Sequence, residues 1–337
     1  MRVIIVGFGV VGQSLAKLLL SRSADLYSQH GIKPRIVACV DNSGSAIAPG
    51  GLDVKKLLEA KKTKGTVGAY EKASTKFDPL QVIENVDAEV MLECTPTNLG
   101  EAEPATSHIT TAMRSDKNVI CVNKGPLALA FPSLIELANY NGVMLRFSGT
   151  VGGGTPILEF AKRCLKGDRI ISFHGILNGT TNYILSKMEE GRTYDTAMKD
   201  AKEKGYAEAN PTLDVDGFDA AAKLVIMANW VMGMKVTMKD VKRTGIMDVR
   251  LPDVKKAVER GNAIKLLAVC DHRRLDVAPT EVAKTDPVCV NGTLNAVTFS
   301  SEHSGQQTII GRGAGGMETA SAILRDLIEI RDETFNI

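Results

Sequence analysis

Hydrophobic residues in this chain fall first into short unbroken runs and then into periodic stretches. Residues 2–6 (Arg-Val-Ile-Ile-Val) form a β-branched run without alternation, the pattern of a parallel strand buried on both faces. Gly7-Phe8-Gly9-Val10-Val11-Gly12 follows, and Leu15, Leu18 and Leu19 then recur at helical spacing. A polar connection, roughly 21–34, leads to a second strand, Arg35 to Val40, closed by Asp41. Small polar residues predict a loop over 42–51, and 53–62 reads as a helix carrying Lys55, Lys56, Lys61 and Lys62. Ala88 to Glu93 predicts a strand, 103–114 a helix and 118–122 another strand. Strands alternating with helices predict a parallel α/β sheet with right-handed crossovers.

The pattern changes after about residue 145. Gly149 to Pro156 is a glycine-dense turn, and 157–165 reads as a helix. Longer β segments are predicted at 169–177, 274–282 and 288–299. Helices are predicted near 180–190, 194–204, 217–231 and 252–260, with a last one at about 317–331. This order implies an α+β second domain with a mostly open sheet. The expected division is 1–134 plus 310–337 for a nucleotide-binding domain and 135–309 for a catalytic and dimerisation domain.

Composition narrows the function classes. Hydrophobic residues make up 44% and charged residues 24%, the ordinary range of a soluble globular protein. A formal net charge of +2 gives no bulk electrostatic case for a nucleic-acid or membrane partner. Six cysteines lie far apart without a CxxC pair or a His cluster, so reduced thiols in a cytoplasmic protein are expected rather than a zinc site. Neither a signal peptide nor a membrane span is expected from the apolar runs.

GxGxxG is a weak signal alone, but here it closes a strand and opens a helix. In that setting Gly7 serves the tight turn, Gly9 the approach of a pyrophosphate and Gly12 the helix–strand packing, as in a Rossmann-type fold. Phe8, Val10 and Val11 share that loop, whose amides would face the anion. Asp41, at the end of the second strand, would accept hydrogen bonds from an adenosine ribose and favour NAD. Lys55 and Lys56 are near enough in sequence to favour a 2′-phosphate, so NAD and NADP both stay open. Thr95 and Asn123 also stand at strand ends and would touch ribose or nicotinamide, with Lys124 facing the substrate.

Residues 205–227 hold the densest chemistry, beginning at Gly205-Tyr206. Glu208, Asp214 and Asp216 precede a helix on which Asp219 and Lys223, four apart, share a face. Apolar neighbours disfavour the lysine's charge and the carboxylates favour it. Such a lysine suits proton transfer in carbonyl reduction, and equally an ordinary surface ion pair.

These segments together resemble homoserine dehydrogenase. Glu208, Asp214, Asp219 and Lys223 stand in the order and spacing of that family's substrate loop and catalytic helix. Gly175 to Leu185 is similar to its other substrate-lining segment, and Val122-Asn123-Lys124 to its strand-end lysine motif. Gly311 to Thr319, with Gly315, resembles its closing glycine motif, which returns the last helix to the nucleotide domain. The resemblance implies NAD(P)-linked interconversion of L-aspartate 4-semialdehyde and L-homoserine, on the way to threonine and methionine. It implies Lys223 as general acid and base, Lys124 where nicotinamide and substrate meet, and a homodimer. Glu208 and Asp219 would hold the substrate with Asp214, Gly179, Thr180, Tyr206 and Gly205. Family members often bind a monovalent cation such as sodium with a glutamate of the glycine turn. Ser148 stands at that position here, leaving the backbone carbonyls of Val151, Gly153 and Thr155 as donors. No fused regulatory or kinase domain is expected at this length.

Two other classes compete. An acylating semialdehyde dehydrogenase would use Cys94 as a thiolate, with no evident His partner. A nucleotide-sensing regulator would share the fold and need no Lys223.

Overall fold

The computed structural model describes residues 1–70, 74–75 and 78–335. The chain divides into two units, Met1–Thr150 with Gly315–Ile337, and Val151–Ala314.

The first unit is built on a seven-stranded sheet. Its strands are β1 (Arg2–Val6), β2 (Arg35–Asp41), β3 (Gly44–Ile47), β4 (Ser74–Thr75), β5 (Val90–Glu93), β6 (Asn118–Cys121) and β7 (Leu145–Arg146). Their order is β4-β3-β2-β1-β5-β6-β7. The five strands β2-β1-β5-β6-β7 are parallel, as the apolar runs predict, and β3 and β4 add an antiparallel edge. The loop expected over 42–51 is therefore partly strand: Asp41 pairs with Gly44, and the amide of Ser43 donates to the Asp41 carboxylate at 3.0 Å, closing a tight turn. The polar connection expected at 21–34 contains the helix Ser23–His30, held by the buried Leu26 and ended by Gly31 at φ 63°. The helices Val10–Ser21 and Gly316–Phe335 pack together, and Ile323, Leu327 and Ile330 join Val3, Ile5 and Leu15 in one core.

The second unit carries a six-stranded sheet of β8 (Ile170–Ile176), β9 (Lys242–Arg243), β10 (Asn262–Asp271), β11 (Leu275–Ala283), β12 (Leu294–Ser301) and β13 (Gly305–Arg312). Its order is β13-β12-β8-β10-β11-β9, antiparallel throughout except for the short β11–β9 pair. The apolar pattern leaves β10 unmarked because Lys265 interrupts it. That lysine is wholly buried and reaches Glu189 at 2.8 Å and Asn291 at 2.9 Å. Residues 288–293, expected as strand, lie outside β12. The helix expected over 157–165 starts as Ile157–Glu159 and widens into a π turn at Phe160–Cys164.

The unit boundaries differ from those expected. Position 134 lies inside the helix Lys124–Tyr140, and β7 still pairs with β6, so the first unit continues to Thr150. At the other end β13 pairs with β12 as far as Arg312, which keeps 310–314 in the second unit.

Candidate functional site

In the first unit the parallel strands β1, β2, β5 and β6 end on one edge of the sheet, the edge at which open α/β sheets bind ligands. Gly7 leaves β1 at φ 94°, and a Cβ there would lie 2.5 Å from the carbonyl carbon of Cys94. A Cβ on Gly12 would lie 2.5 Å from the Gly7 oxygen. A Cβ on Gly9 would meet nothing within 4 Å. Protein backbone thus explains two of the glycines, whereas the space at Gly9 is what a pyrophosphate requires. The helix Val10–Ser21 begins there without a side-chain cap, so its first amides are available to an anion.

A cavity of about 580 Å³ opens at this edge, lined by Gly7, Asp41, Asn42, Ser43, Thr95 and His108 among others. Its size and position fit the adenosine half of a dinucleotide.

Several expected ligands are differently employed. The Asp41 carboxylate is nearly inaccessible, and its oxygens accept from Lys61 Nζ at 2.7 Å, the Val67 amide at 2.8 Å and the Thr66 hydroxyl at 2.8 Å, besides Ser43. Burial alone would raise its pKa, but Lys61 and the other donors hold it below the usual carboxylate range. With all these directions taken, Asp41 is not open to a ribose hydroxyl in this conformation. The exposed Lys55 and Lys56 give their amides to Asp53, and the lysine facing Asp41 is Lys61. The Asn123 side chain is buried. It donates to Thr95 and to the Pro96 carbonyl at 3.0 Å and accepts from the Gly125 amide at 3.0 Å. It clasps the loop after β5 to the helix Lys124–Tyr140, so both of its polar atoms are engaged by the protein. Phe8 is a core side chain, so only its backbone can face a ligand. Val10 is 73% exposed, Val11 is partly buried, and Lys124 begins its helix at the same sheet edge. Gly315 takes φ 139° and leads into the helix Gly316–Phe335.

Glu93 and His108 form a buried pair that sequence alone did not reveal. The His108 ring contacts one Glu93 oxygen at 2.8 Å, and the Thr95 amide donates to the other at 2.7 Å, joined by the Thr95 hydroxyl. The available signal was a carboxylate inside the otherwise apolar run of β5. Burial and the charge of Glu93 push the Cys94 thiol well up, which works against the thiolate that an acylating mechanism needs.

In the second unit the helix Phe218–Met232 starts after Gly217, at φ 79°, and buries nearly everything from Ala220 to Asn229, including Lys223 at 6% exposure. The Lys223 ammonium lies 2.7 Å from the Leu177 carbonyl and 2.7 Å from Asp219 Oδ2. The bland alternative of an exposed surface pair is thereby excluded. Leu177 ends the segment that runs from β8 into the helix Gly179–Glu189. A Cβ on Gly179 would fall 2.7 Å from the Thr293 carbonyl oxygen, which explains glycine at that helix start.

Asn178, within the segment Gly175 to Leu185, ties this network together, a part that its sequence position alone does not show. Its Oδ1 accepts from the Thr181 amide at 2.9 Å and so caps the helix, while its Nδ2 donates to Asp214 at 2.6 Å and Asp219 at 3.0 Å. An asparagine just before a predicted helix was the available signal. Burial and the charge of Asp219 push Asp214 above the usual carboxylate range, against the opposing pull of Asn178 and Lys223. Thr180 donates to the Tyr206 carbonyl at 2.6 Å, and Tyr206 packs edge-on against Tyr183. Gly205, at φ 72°, turns the chain into this loop. Glu208 lies exposed on the same loop and takes no part in the Asp214–Asn178–Asp219–Lys223 network.

The cation site implied by resemblance is poorly furnished. The Ser148 hydroxyl and amide are committed to the buried Asp326. The Thr155 carbonyl already accepts from the Ile157 amide at 2.8 Å. Among the described residues no three His, Cys, Asp or Glu gather as a metal site. Of the backbone oxygens expected as ligands, those of Val151 and Gly153 remain beside the already engaged Thr155.

Comparison with known proteins adds to this geometry. A family model described as homoserine dehydrogenase matches residues 156–328, and one described as glutamate/leucine/phenylalanine/valine dehydrogenase matches residues 1–115. The chain is 45% identical to the homoserine dehydrogenase of Methanocaldococcus jannaschii, covering 99% of both chains. It is 38% identical to the NAD(+)-dependent homoserine dehydrogenase of Pseudomonas canavaninivorans, over 97% of this chain and 95% of that one. A solved structure of a hyperthermophilic archaeal homoserine dehydrogenase in complex with NADPH superposes with a TM-score of 0.87 at 27% identity, covering 98% of each chain.

Proposed function

The chain belongs to the homoserine dehydrogenase family, NAD(P)-dependent oxidoreductases acting on a CH–OH group, and from that premise we propose that Lys223 carries its acid–base chemistry. The reaction interconverts L-aspartate 4-semialdehyde and L-homoserine. The observation that supports the role is the seat of the Lys223 ammonium, with two of its three N–H directions taken by the Leu177 carbonyl and Asp219. The third is left for the aldehyde oxygen. As negative charge builds on that oxygen, the ammonium stabilises it and gives up a proton; in the reverse direction the amine takes the hydroxyl proton. Asp219 fixes the ammonium's direction through one turn of helix. Asp214, Asp219 and the exposed Glu208 suit the substrate's ammonium, and Gly179, Thr180, Gly205 and Tyr206 shape the loop around them. The loop Gly7–Gly12 would hold the pyrophosphate, with Thr95 and Lys124 at the same sheet edge and Gly315 at the head of the last helix. The nicotinamide, when bound, supplies or receives the hydride.

Because Lys61 matches the charge of Asp41, this edge opposes a 2′-phosphate less than a lone carboxylate would, and we assign both NAD and NADP as cofactors. The edge strand β13, largely exposed and paired among the described residues with β12 alone, supports the expected homodimer, which molar mass by light scattering tests. Six free cysteines suit a reducing, cytoplasmic setting, and no helix among the described residues is long and apolar enough to cross a membrane.

The test is Lys223→Met. Its kcat in both directions should fall by about 10³-fold, with NADH affinity within about threefold of the parent. Turnover within about tenfold of the parent would reject the role.

A further inference from the structure

The structure assigns His108 as a binding residue for the adenosine half of the dinucleotide, held in its working orientation by Glu93. This rests on the dinucleotide reading above and adds a contact to it. Glu93 is fully buried, and its carboxylate accepts from the Thr95 amide, the Thr95 hydroxyl and the His108 ring. A carboxylate engaged in that way is an acceptor, so His108 Nδ1 carries the proton and the ring is fixed by it. Nε2 is then the ring's remaining polar atom, and it has no hydrogen-bond partner among the described residues. His108 lines the cavity at the end of β2 together with Asp41, Asn42, Ser43 and Ser107. That strand end is where the adenosine ribose lies in sheets of this topology. With Nδ1 protonated, a neutral ring offers Nε2 as an acceptor to a ribose hydroxyl or an adenine amine. Glu93 is a positioning residue, joining the ring to the loop that bears Thr95.

The experiment measures dissociation constants for NADH and NADPH by nucleotide fluorescence, with 5′-AMP as competitor, on the full chain. His108→Asn places an amide at the Nδ1 position, keeps the bond to Glu93 and removes Nε2. Binding of NADH, NADPH and 5′-AMP should weaken together, each about tenfold. Should that variant not fold, His108→Phe keeps the ring volume, lacks both nitrogens and carries the same expectation. Unchanged affinity for 5′-AMP and both dinucleotides in a folded variant overturns the assignment of His108 and leaves the dinucleotide reading standing. Weaker dinucleotide binding with unchanged 5′-AMP binding places the ring elsewhere on the ligand and overturns the adenosine assignment. A parent protein that binds neither NADH nor NADPH overturns the dinucleotide reading itself, and this inference with it.

Discussion

Asn178 holds Asp214 at 2.6 Å across 36 positions of chain, with an amide that its own helix cap prevents from turning over. Reversing the amide would point its carbonyl oxygen at two carboxylates and its NH₂ at the Thr181 amide. Asn178→Asp keeps the capping acceptor and replaces the donor with a third negative group. The helix Gly179–Glu189 should persist, while kcat/KM for L-homoserine falls by about 10–100-fold, the worth of a hydrogen bond to a charged partner. Circular dichroism together with steady-state kinetics checks both halves. Intact kinetics would show that the carboxylates need no bridge.

Asp214 carries a pH-dependent cost. Its folded-state pKa is raised, so the folded protein holds this proton more tightly than the unfolded chain does. Above the raised value its ionisation works against folding. That cost disappears as the pH falls back toward the ordinary carboxylate value of about 3.9. Asp214→Asn removes the charge. Its melting temperature should exceed that of the parent by a few degrees at about pH 8 and converge on it in acid, while activity drops. A melting difference that stays constant across that range would show that Asp214 does not titrate there.

Asp41 has the opposite sign. Its pKa is lowered in the folded state, so its contribution is present above the ordinary carboxylate value and is lost as the pH falls through the folded one. Asp41→Asn would also release the Lys61 cation at the ribose end of the cavity. The affinity ratio of NADPH to NADH should rise by about 3–10-fold. A ratio equal to the parent's would place Lys61 out of reach of the 2′ position.

The glycines of the first loop make separable predictions. Gly7→Ala puts a methyl group into the backbone of Cys94 and needs a left-handed conformation as well, so soluble folded protein should largely disappear. Gly9→Ala meets no protein atom and should melt within about 2 °C of the parent, yet bind NADH at least about tenfold more weakly. Normal binding by Gly9→Ala would mean that the space there is not the pyrophosphate's.

What was legible in the sequence follows the physics of each segment. β1 and its glycine loop could be read because an unbroken β-branched run and a strand–turn–helix are both local patterns. β13 could not, since Gln306, Gln307 and Thr308 on an exposed edge strand give no apolar signal. β10 was hidden by Lys265, whose burial is compensated by Glu189, 76 positions away. The same division runs through the site. Asp219 and Lys223 share a helix face, so spacing alone joins them. The bonds of Asn178 to Asp214, of Glu93 to His108 and of Asp41 to Lys61 link different elements, and only the fold brings them together. Asp41 and Asn123 stand at the strand ends where sequence placed them, but both side chains serve the scaffold.

The last helix contributes Ile323, Leu327 and Ile330 to the core that Val3 and Ile5 begin. A ribosome therefore releases the opening strand long before it makes the residues that seal its layer. The amino-terminal half must wait, incompletely covered, while all of Val151–Ala314 is synthesised. Chains arrested before the last helix should be the aggregation-prone species of this protein, and chaperone occupancy during translation should fall only when that helix emerges.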